Sequence, residues 1–292
     1  MPVLLKDVLQ PNQIVRLKTL DRFVSYFGTA PRRLNKHQPA YLLIIIKNGY
    51  GHCFVDNEYV PLIAGSLLLI SPDSYLRLDN TQYLLGNVII FTEAFFCKTQ
   101  FTENLLYKVV YDPESKPIVQ LNEGKIKTAF INSRIQLFSL EYRMLKDKSA
   151  DNDLLLNMLS GIILMLHQEQ LEQNGQSYDN ENPHLKNIVV KFIKLLNIHY
   201  KEQHQLEFYA RKMGVDVSTF SKLCRKACGW SPKSIIQSKL INEVRLSMIF
   251  DPRPTSEISF ELGFQEHSAF NKFFREELKM SIAEFKAANP LK

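Results

Sequence analysis

Residues 206–232 read LEFYARKMGVDVSTFSKLCRKACGWSP, and residues 255–276 read TSEISFELGFQEHSAFNKFFRE. The two stretches divide in the same way. Leu206 to Met213 reads as a short helix with Ala210 facing inward, Gly214 stands at the reversal, and Asp216 is placed to cap a second helix by accepting from its first free amides. About 49 residues later Thr255 to Glu261 reads as a short helix, Gly263 as the turn, and a helix starts at about His267, with Ser259 where Ala210 stands in the first copy. A helix-turn-helix needs a small residue where its helices cross, glycine where the chain reverses, and apolar residues three and four apart on its second helix. Phe220, Leu223 and Ala227 meet the last requirement in the first copy, and Phe270 with Phe273 or Phe274 in the second.

The outward residues of the second helices are then Ser218, Ser221, Lys222 and Arg225 in one copy, and His267, Ser268, Asn271, Lys272 and Arg275 in the other. These are side chains that meet base edges and phosphates when such a helix enters a major groove. Around them the pattern predicts helices over 184–200, 206–213, 217–228, 232–249, 255–261, 267–278 and a short one from 281, with no convincing strand. The helix from Pro232 to Ile249, with Ile235, Ile236, Leu240, Val244 and Met248 on its apolar side, is placed to brace the copies so that both face one side of a duplex, about 34 Å apart.

Charge follows the same division. The chain has 292 residues and a formal net charge of +6. Residues 184–292 hold 18 Lys and Arg against 11 Asp and Glu, whereas 1–183 hold 18 against 19. The excess therefore belongs to the segment with the repeat, which favours a polyanion-binding module joined to a neutral domain.

The first third reads as strands. Ala40–Ile46 is apolar and β-branched and ends at Lys47-Asn48-Gly49; further strands are expected over 51–55, 59–62, 66–70 and 83–91. Short strands with tight turns predict a small antiparallel barrel or sandwich. From Glu123 to Lys146 the apolar residues Ile126, Phe130, Leu137, Leu140 and Met144 recur at helical spacing, and a second helix, about Asp153 to Glu172, carries Leu155, Leu159, Ile162, Ile163 and Leu166. The polar run 173–182 is the best linker. The expected domains are 1–175 (barrel about 15–115, helices about 123–172), a linker at 176–183, and 184–292.

With these motifs in place, residues 184–286 resemble the DNA-binding domain of the AraC/XylS family of bacterial transcription regulators. Ala210, Gly214, Phe220, Gly229 and Pro232 match the first unit, and Gly263-Phe264, Phe270, Phe274 and Arg275 match the most diagnostic part of the signature. The resemblance implies recognition of an asymmetric site by two helices in adjacent major-groove segments. By position, it assigns Ser218, Ser221 and Lys222 as first-unit readers with Arg225 nearer phosphate, and His267, Ser268, Asn271 and Lys272 as second-unit readers. Cys224 stands where the family has Phe, Leu240 where it has Arg, and Lys279-Met280-Ser281-Ile282 where it closes with Gly-x-Ser/Thr-Pro. Residues 15–172, with VPLIAGSLLLISPDS at 60–74, are similar to that family's cupin-like regulatory barrel with its helical dimerisation element. The resulting fold is two-domain α+β: a cupin-like antiparallel β-barrel with a helical hairpin, then an all-α domain with two helix-turn-helix units.

The expected partners are double-stranded DNA, a second copy of the chain through Leu155, Leu159, Ile162 and Leu166, and, from the resemblance, RNA polymerase. Ligand-dependent reorientation of such a dimer would shift which half-sites are occupied. A small-molecule effector is the alternative to a solid barrel core. Its walls would come from the inward-facing members of Tyr41, Leu43, Ile45, Phe54 and Leu68, with Arg32, Arg33, Lys36 or His37 at the mouth; that basic cluster reads equally as an anion-attracting rim or a solvated arm. Two other functions compete: a small-molecule-binding protein with a helical interaction module, and a cupin-type metalloenzyme. The latter lacks a His-x-His pair, leaving only His37, His52 and Glu58 as a conceivable set. No nucleophilic triad, phosphate loop or dinucleotide fingerprint is present, so no cofactor is expected. Cys53, Cys97, Cys224 and Cys228 read as buried thiols of a reducing compartment. No secretory signal is apparent and the longest apolar run is far below the ~20 residues that span a bilayer, so a cytoplasmic location is expected. Activation and repression are not distinguished.

Overall fold

A computed structural model of the chain describes residues 15–27, 32–33, 40–56, 58–111, 118–121, 126–145, 153–173, 183–228 and 230–288. It divides into two compact units, Met1–Asn180 and Glu181–Lys292.

The first unit begins with β1 (Val15–Thr19), α1 (Leu20–Phe27), β2 (Arg32–Arg33), β3 (Ala40–Asn48), β4 (Tyr50–Val55) and β5 (Glu58–Ile63). It continues with β6 (Ser66–Ile70), β7 (Tyr75–Asp79), β8 (Leu85–Thr92), α2 (Glu93–Phe96), α3 (Gln100–Tyr111), β9 (Ile118–Gln120), α4 (Ile126–Met144) and α5 (Asp153–Gln173). One sheet has the order β1-β8-β3-β6-β9 and the other β2-β7-β4-β5, with every ladder antiparallel. Among the described residues no ladder joins the edges of one sheet to those of the other. The expected cupin-like barrel is therefore corrected to two open sheets.

The physical reason is visible in β3, where every residue from Ala40 to Ile46 is buried. A strand of a small closed barrel alternates core-facing and solvent-facing residues, whereas a continuous apolar run marks a strand covered on both faces. Leu42, Ile44 and Ile46 join Leu68, Ile70, Val88 and Ile90 against Cys53, Val55, Val60, Leu62, Leu76 and Leu78 of the smaller sheet. The alternate residues Tyr41, Leu43 and Ile45 join Leu67, Leu69, Ile89 and Phe91 against the helices. Pro61, which has no amide proton to give a ladder, sits on the edge strand β5.

The helices form the third layer. Lys127, near the start of α4, is ion-paired with Glu172, near the end of α5, so the two run antiparallel. Helix α5 is the central one: Leu155, Leu159, Ile162 and Leu166 are fully buried in the core against the large sheet. They are thus packed within their own unit rather than displayed to a second copy. On α4, four of the apolar residues singled out in the sequence point outward: Phe130, Leu137, Leu140 and Met144 are exposed, and Ile131, Ile135, Phe138 and Tyr142 fill the core. This helix carries two apolar stripes, and periodicity alone does not say which faces in.

The second unit is helical throughout its described residues: α6 (Pro183–His199), α7 (Leu206–Lys212), α8 (Val217–Cys228), α9 (Pro232–Phe250), α10 (Thr255–Glu261), α11 (His267–Leu278) and α12 (Ile282–Ala288). No described helix of either unit is long and apolar enough to cross a membrane. Removing the side chain of the most enclosed helix residues leaves a cavity between α5 and the sheet, so Leu159→Ala is expected to cost about 2–5 kcal/mol. Reversible denaturant unfolding of the first unit's transition measures it; a loss under about 1 kcal/mol would contradict the three-layer core.

Candidate nucleic-acid interface

Both turns of the repeat close with the same hydrogen bonds. In the first, the Gly214 amide donates to the Arg211 carbonyl and the Val215 amide to the Ala210 carbonyl, each at 3.1 Å. In the second, Gly263 donates to Phe260 and Phe264 to Ser259, each at 3.0 Å. This paired pattern is the Schellman closure, which requires the left-handed conformation at its penultimate residue. Gly214 has φ of 72° and Gly263 has φ of 83°, so glycine is needed at both. The crossing residues Ala210 and Ser259 are buried, and the Ser259 hydroxyl is satisfied by donating to the Ser256 carbonyl at 2.7 Å.

The second helices are then seated by aromatic packing. Phe220 of α8 meets Phe192 of α6 edge-on at 4.9 Å, and Phe192 meets Tyr209 of α7 at 5.5 Å. Phe270 of α11 packs on Phe264 at 5.1 Å, and Phe274 on Phe285 of α12 at 5.5 Å. Cys224 is fully buried where the family has Phe; burial pushes its thiol up to about 12, and it acts as a small core residue. Leu240 is likewise buried on α9, which packs against α7, α8, α10 and α11. Asp216 accepts from the Thr219 amide at 2.9 Å, capping α8, and that interaction with Thr219 holds its carboxyl below the usual range.

Seating one face of each helix turns the other outward. On α8, Ser218, Lys222 and Arg225 are exposed and Ser221 is half-buried. On α11, Ser268, Asn271, Lys272 and Arg275 are exposed, while His267 is half-buried, with Nδ1 3.5 Å from the Ser259 hydroxyl and its ring stacked on Phe270. The two outward sets, 218/221/222/225 and 268/271/272/275, have identical spacing and each occupies one helical face. Acids neighbour the second set: Ser268 donates to Glu266 at 2.9 Å and Lys272 lies 3.9 Å from Glu276. Sequence reasoning passed over Arg211 and Lys212 at the end of α7, Lys226 on α8 and Lys233 at the start of α9, all exposed cations of the second unit. Lys226 follows Lys222 by four residues, so the same helical projection would have found it.

The other expected site does not converge. Tyr41 is buried beneath the helices, stacked on Phe91 at 5.4 Å, whereas Phe54 lies on the outer face of the small sheet with the Arg77 guanidinium 4.1 Å above it. Leu43 and Ile45 share the Tyr41 side, and Leu68 packs between the sheets. Arg32 and Arg33 form β2; Lys36 and His37 lie outside the described residues. Among the described residues no three His, Cys, Asp or Glu side chains are grouped to hold a metal ion. None of the four cysteines forms a disulfide with another described residue.

Residues 209–288 match the model of the helix-turn-helix domain family. The chain therefore carries a helix-turn-helix domain, and its general class is that of a DNA-binding transcription regulator. No curated protein matches it in sequence. Among solved structures, ToxT from Vibrio cholerae is 12% identical over 95% of this chain and 100% of its own, with a TM-score of 0.40. The C-terminal domain of the two-component response regulator yesN from Fusobacterium nucleatum is 16% identical over 34% of this chain and 98% of its own, at 0.33. The DNA-binding domain of AdpA, a global transcriptional factor solved with a target DNA, is 23% identical over 36% and 90%, at 0.31.

The closing segment, Lys279-Met280-Ser281-Ile282, keeps its helix cap without a glycine or a proline. Lys279 takes the left-handed position with φ of 57°, its amide donating to the Arg275 carbonyl. Ser281 and Glu284 then cap α12 reciprocally: the Ser281 amide donates to Glu284 at 2.7 Å and the Glu284 amide to the Ser281 hydroxyl at 3.2 Å. A lysine is strained at that φ, so Lys279→Gly is expected to stabilise the second unit by about 0.5–1 kcal/mol in denaturant unfolding. A loss of stability would contradict the left-handed cap.

Proposed function

We propose that the chain is a sequence-specific transcription regulator of the AraC/XylS type that reads two adjacent major-groove segments with α8 and α11. The observation that carries this reading is the pair of outward sets at identical spacing, each following an identical glycine turn and braced by the same helix. Ser218, Ser221 and Lys222 read the first segment, with Arg225 at phosphate; His267, Ser268, Asn271 and Lys272 read the second, with Arg275 at its edge. The resemblance adds an RNA polymerase contact to this reading. Lys222→Ala and Lys272→Ala should each weaken specific binding by about 1–3 kcal/mol and relax preference in one segment only. Arg225→Ala should instead lower the slope of log K against log salt by about 1. Footprinting and salt titration measure both, with Lys191→Ala on α6 as the control that leaves them unchanged; equal effects from all four would contradict the assignment.

The first unit's part in this reading is to pair two copies. Support comes from the exposed residues Phe130, Leu137 and Met144, which recur every seven along α4 with Leu140 beside them. That is the spacing of a helix–helix seam, and an isologous pairing would bury the same stripe on both copies. Sedimentation at micromolar concentration should give twice the 33.9 kDa chain mass, and Leu137→Asp with Leu140→Asp should give the monomer. A monomeric wild-type chain would overturn the pairing.

A further inference from the structure

The two glycine turns share hydrogen bonds and backbone conformation, yet they differ in what lies against them. A Cβ on Gly214 would meet nothing within 4 Å. A Cβ on Gly263 would sit 2.1 Å from the Lys201 carbonyl oxygen and 3.2 Å from His204 Nε2. The second turn is thus docked, through its glycine, onto the loop between α6 and α7, a segment that belongs to the first half of the domain.

That loop touches α7, α9, α10 and the turn that precedes α11. The Tyr209 hydroxyl of α7 donates to the Gln203 carbonyl at 2.7 Å, tying it to the first helix-turn-helix. The Tyr200 hydroxyl donates to Glu243 at 3.2 Å, where Glu243 is buried on α9 and paired with Lys239 at 3.2 Å. Lys201 Nζ bonds Glu261 at the end of α10 at 2.7 Å, and Arg253, held by Asp251, meets the other oxygen of Glu261 at 2.5 Å. The His204 ring packs on Phe264, directly after the second turn, with centroids 5.1 Å apart. Burial holds the His204 pKa below its ordinary value.

We propose that the 200–205 loop is a spacing clamp: Lys201 and His204 are positioning residues that fix α11 relative to α8, and Gly263 permits the close approach. The proposal rests on the two-segment DNA reading above. Helix α9 alone joins the copies by one continuous element, and such an element leaves torsion about its ends; a second contact, off that axis, removes it. The consequence is specificity for the separation between the two DNA segments, which no base-contacting residue encodes. The part-exposed Lys201–Glu261 pair is a weak tie in isolation, so the enclosed packing of Gly263 and the His204 ring carries most of the restraint.

Two measurements on the full chain test this. Hydrogen exchange should show the amides of Gly263 and Phe264 losing about tenfold in protection in His204→Ala and in Lys201→Met, while those of Gly214 and Val215 keep theirs. Binding to duplexes whose two segments are moved apart or together by one base pair should be at least about tenfold weaker than at the preferred separation for the wild type. In the variants that ratio should fall below about threefold, with base preference inside each segment retained. Lys286→Ala, which removes the 3.0 Å bond from α12 to Thr255 of α10 and leaves the loop alone, is the softening control and should keep the ratio. Unchanged exchange at Gly263 overturns the clamp whether or not DNA is bound. Changed exchange with an unchanged ratio, or an equal fall in Lys286→Ala, overturns its role in spacing. Absence of specific binding by the wild type is a separate outcome, which removes the two-segment reading itself and the clamp's function with it.

Discussion

The second unit depends on a left-handed residue at the end of each short helix. At Gly214 and Gly263 the backbone turns through a conformation that side chains resist, and the last carbonyls of α7 and α10 are satisfied by the amides that follow. This closure sets the direction in which α8 and α11 leave. Once that direction is set, Phe220 and Phe270 can reach their cores, and the residues on the far side have nowhere to go but solvent. The outward polar faces are a consequence of the turns and the aromatic cores together. Where the chain repeats the device at Lys279, it tolerates a lysine in the same conformation because the reciprocal Ser281–Glu284 cap secures the next helix.

The first unit is organised by a different constraint, burial on both faces. Strand β3 lies in the middle of the large sheet and contributes alternate residues to two separate cores. Its neighbours must therefore supply cover on each side: the small sheet on one, α5 and its partners on the other. This arrangement leaves α5 without an exposed apolar face and gives that property to α4, which changes where a second copy of the chain would attach.

Much of the second unit was legible in the sequence because its signals are local. Glycine at the reversal, Asp216 before Val217, Ser231 before Pro232 and phenylalanines four apart each act within a few residues, and the expected helix limits agree with the observed ones to within one or two positions. The first unit was less legible because closure of a sheet is decided by pairing between distant strands. Ala40–Ile46 announces burial on both sides without saying what provides it, and short strands with tight turns suit a barrel or a sandwich equally. Strand β7, with Arg77 and Asp79 alternating with Leu76 and Leu78, shows too few apolar residues to be seen alone. On α4, Phe130, Leu137 and Met144 compete with Ile131, Ile135 and Phe138 at the same period, so only tertiary contacts choose between them. The spacing contact at Gly263 was invisible for a related reason: both glycines are demanded by their turns, and the sequence does not show that one of them is also touching another loop.

The location of charge completes the picture. The net excess of +6 is modest, but it lies in residues 184–292, the part of the chain that presents two outward helical faces of the same spacing, and Lys226 adds an exposed cation to α8. Selection of the purified chain on a randomised duplex library tests the central claim most directly. The expected result is an enriched site made of two unlike blocks at one fixed separation, near one helical turn of about 10 base pairs. Enrichment of a single block, of two blocks at indifferent separation, or of no sequence at all would contradict it.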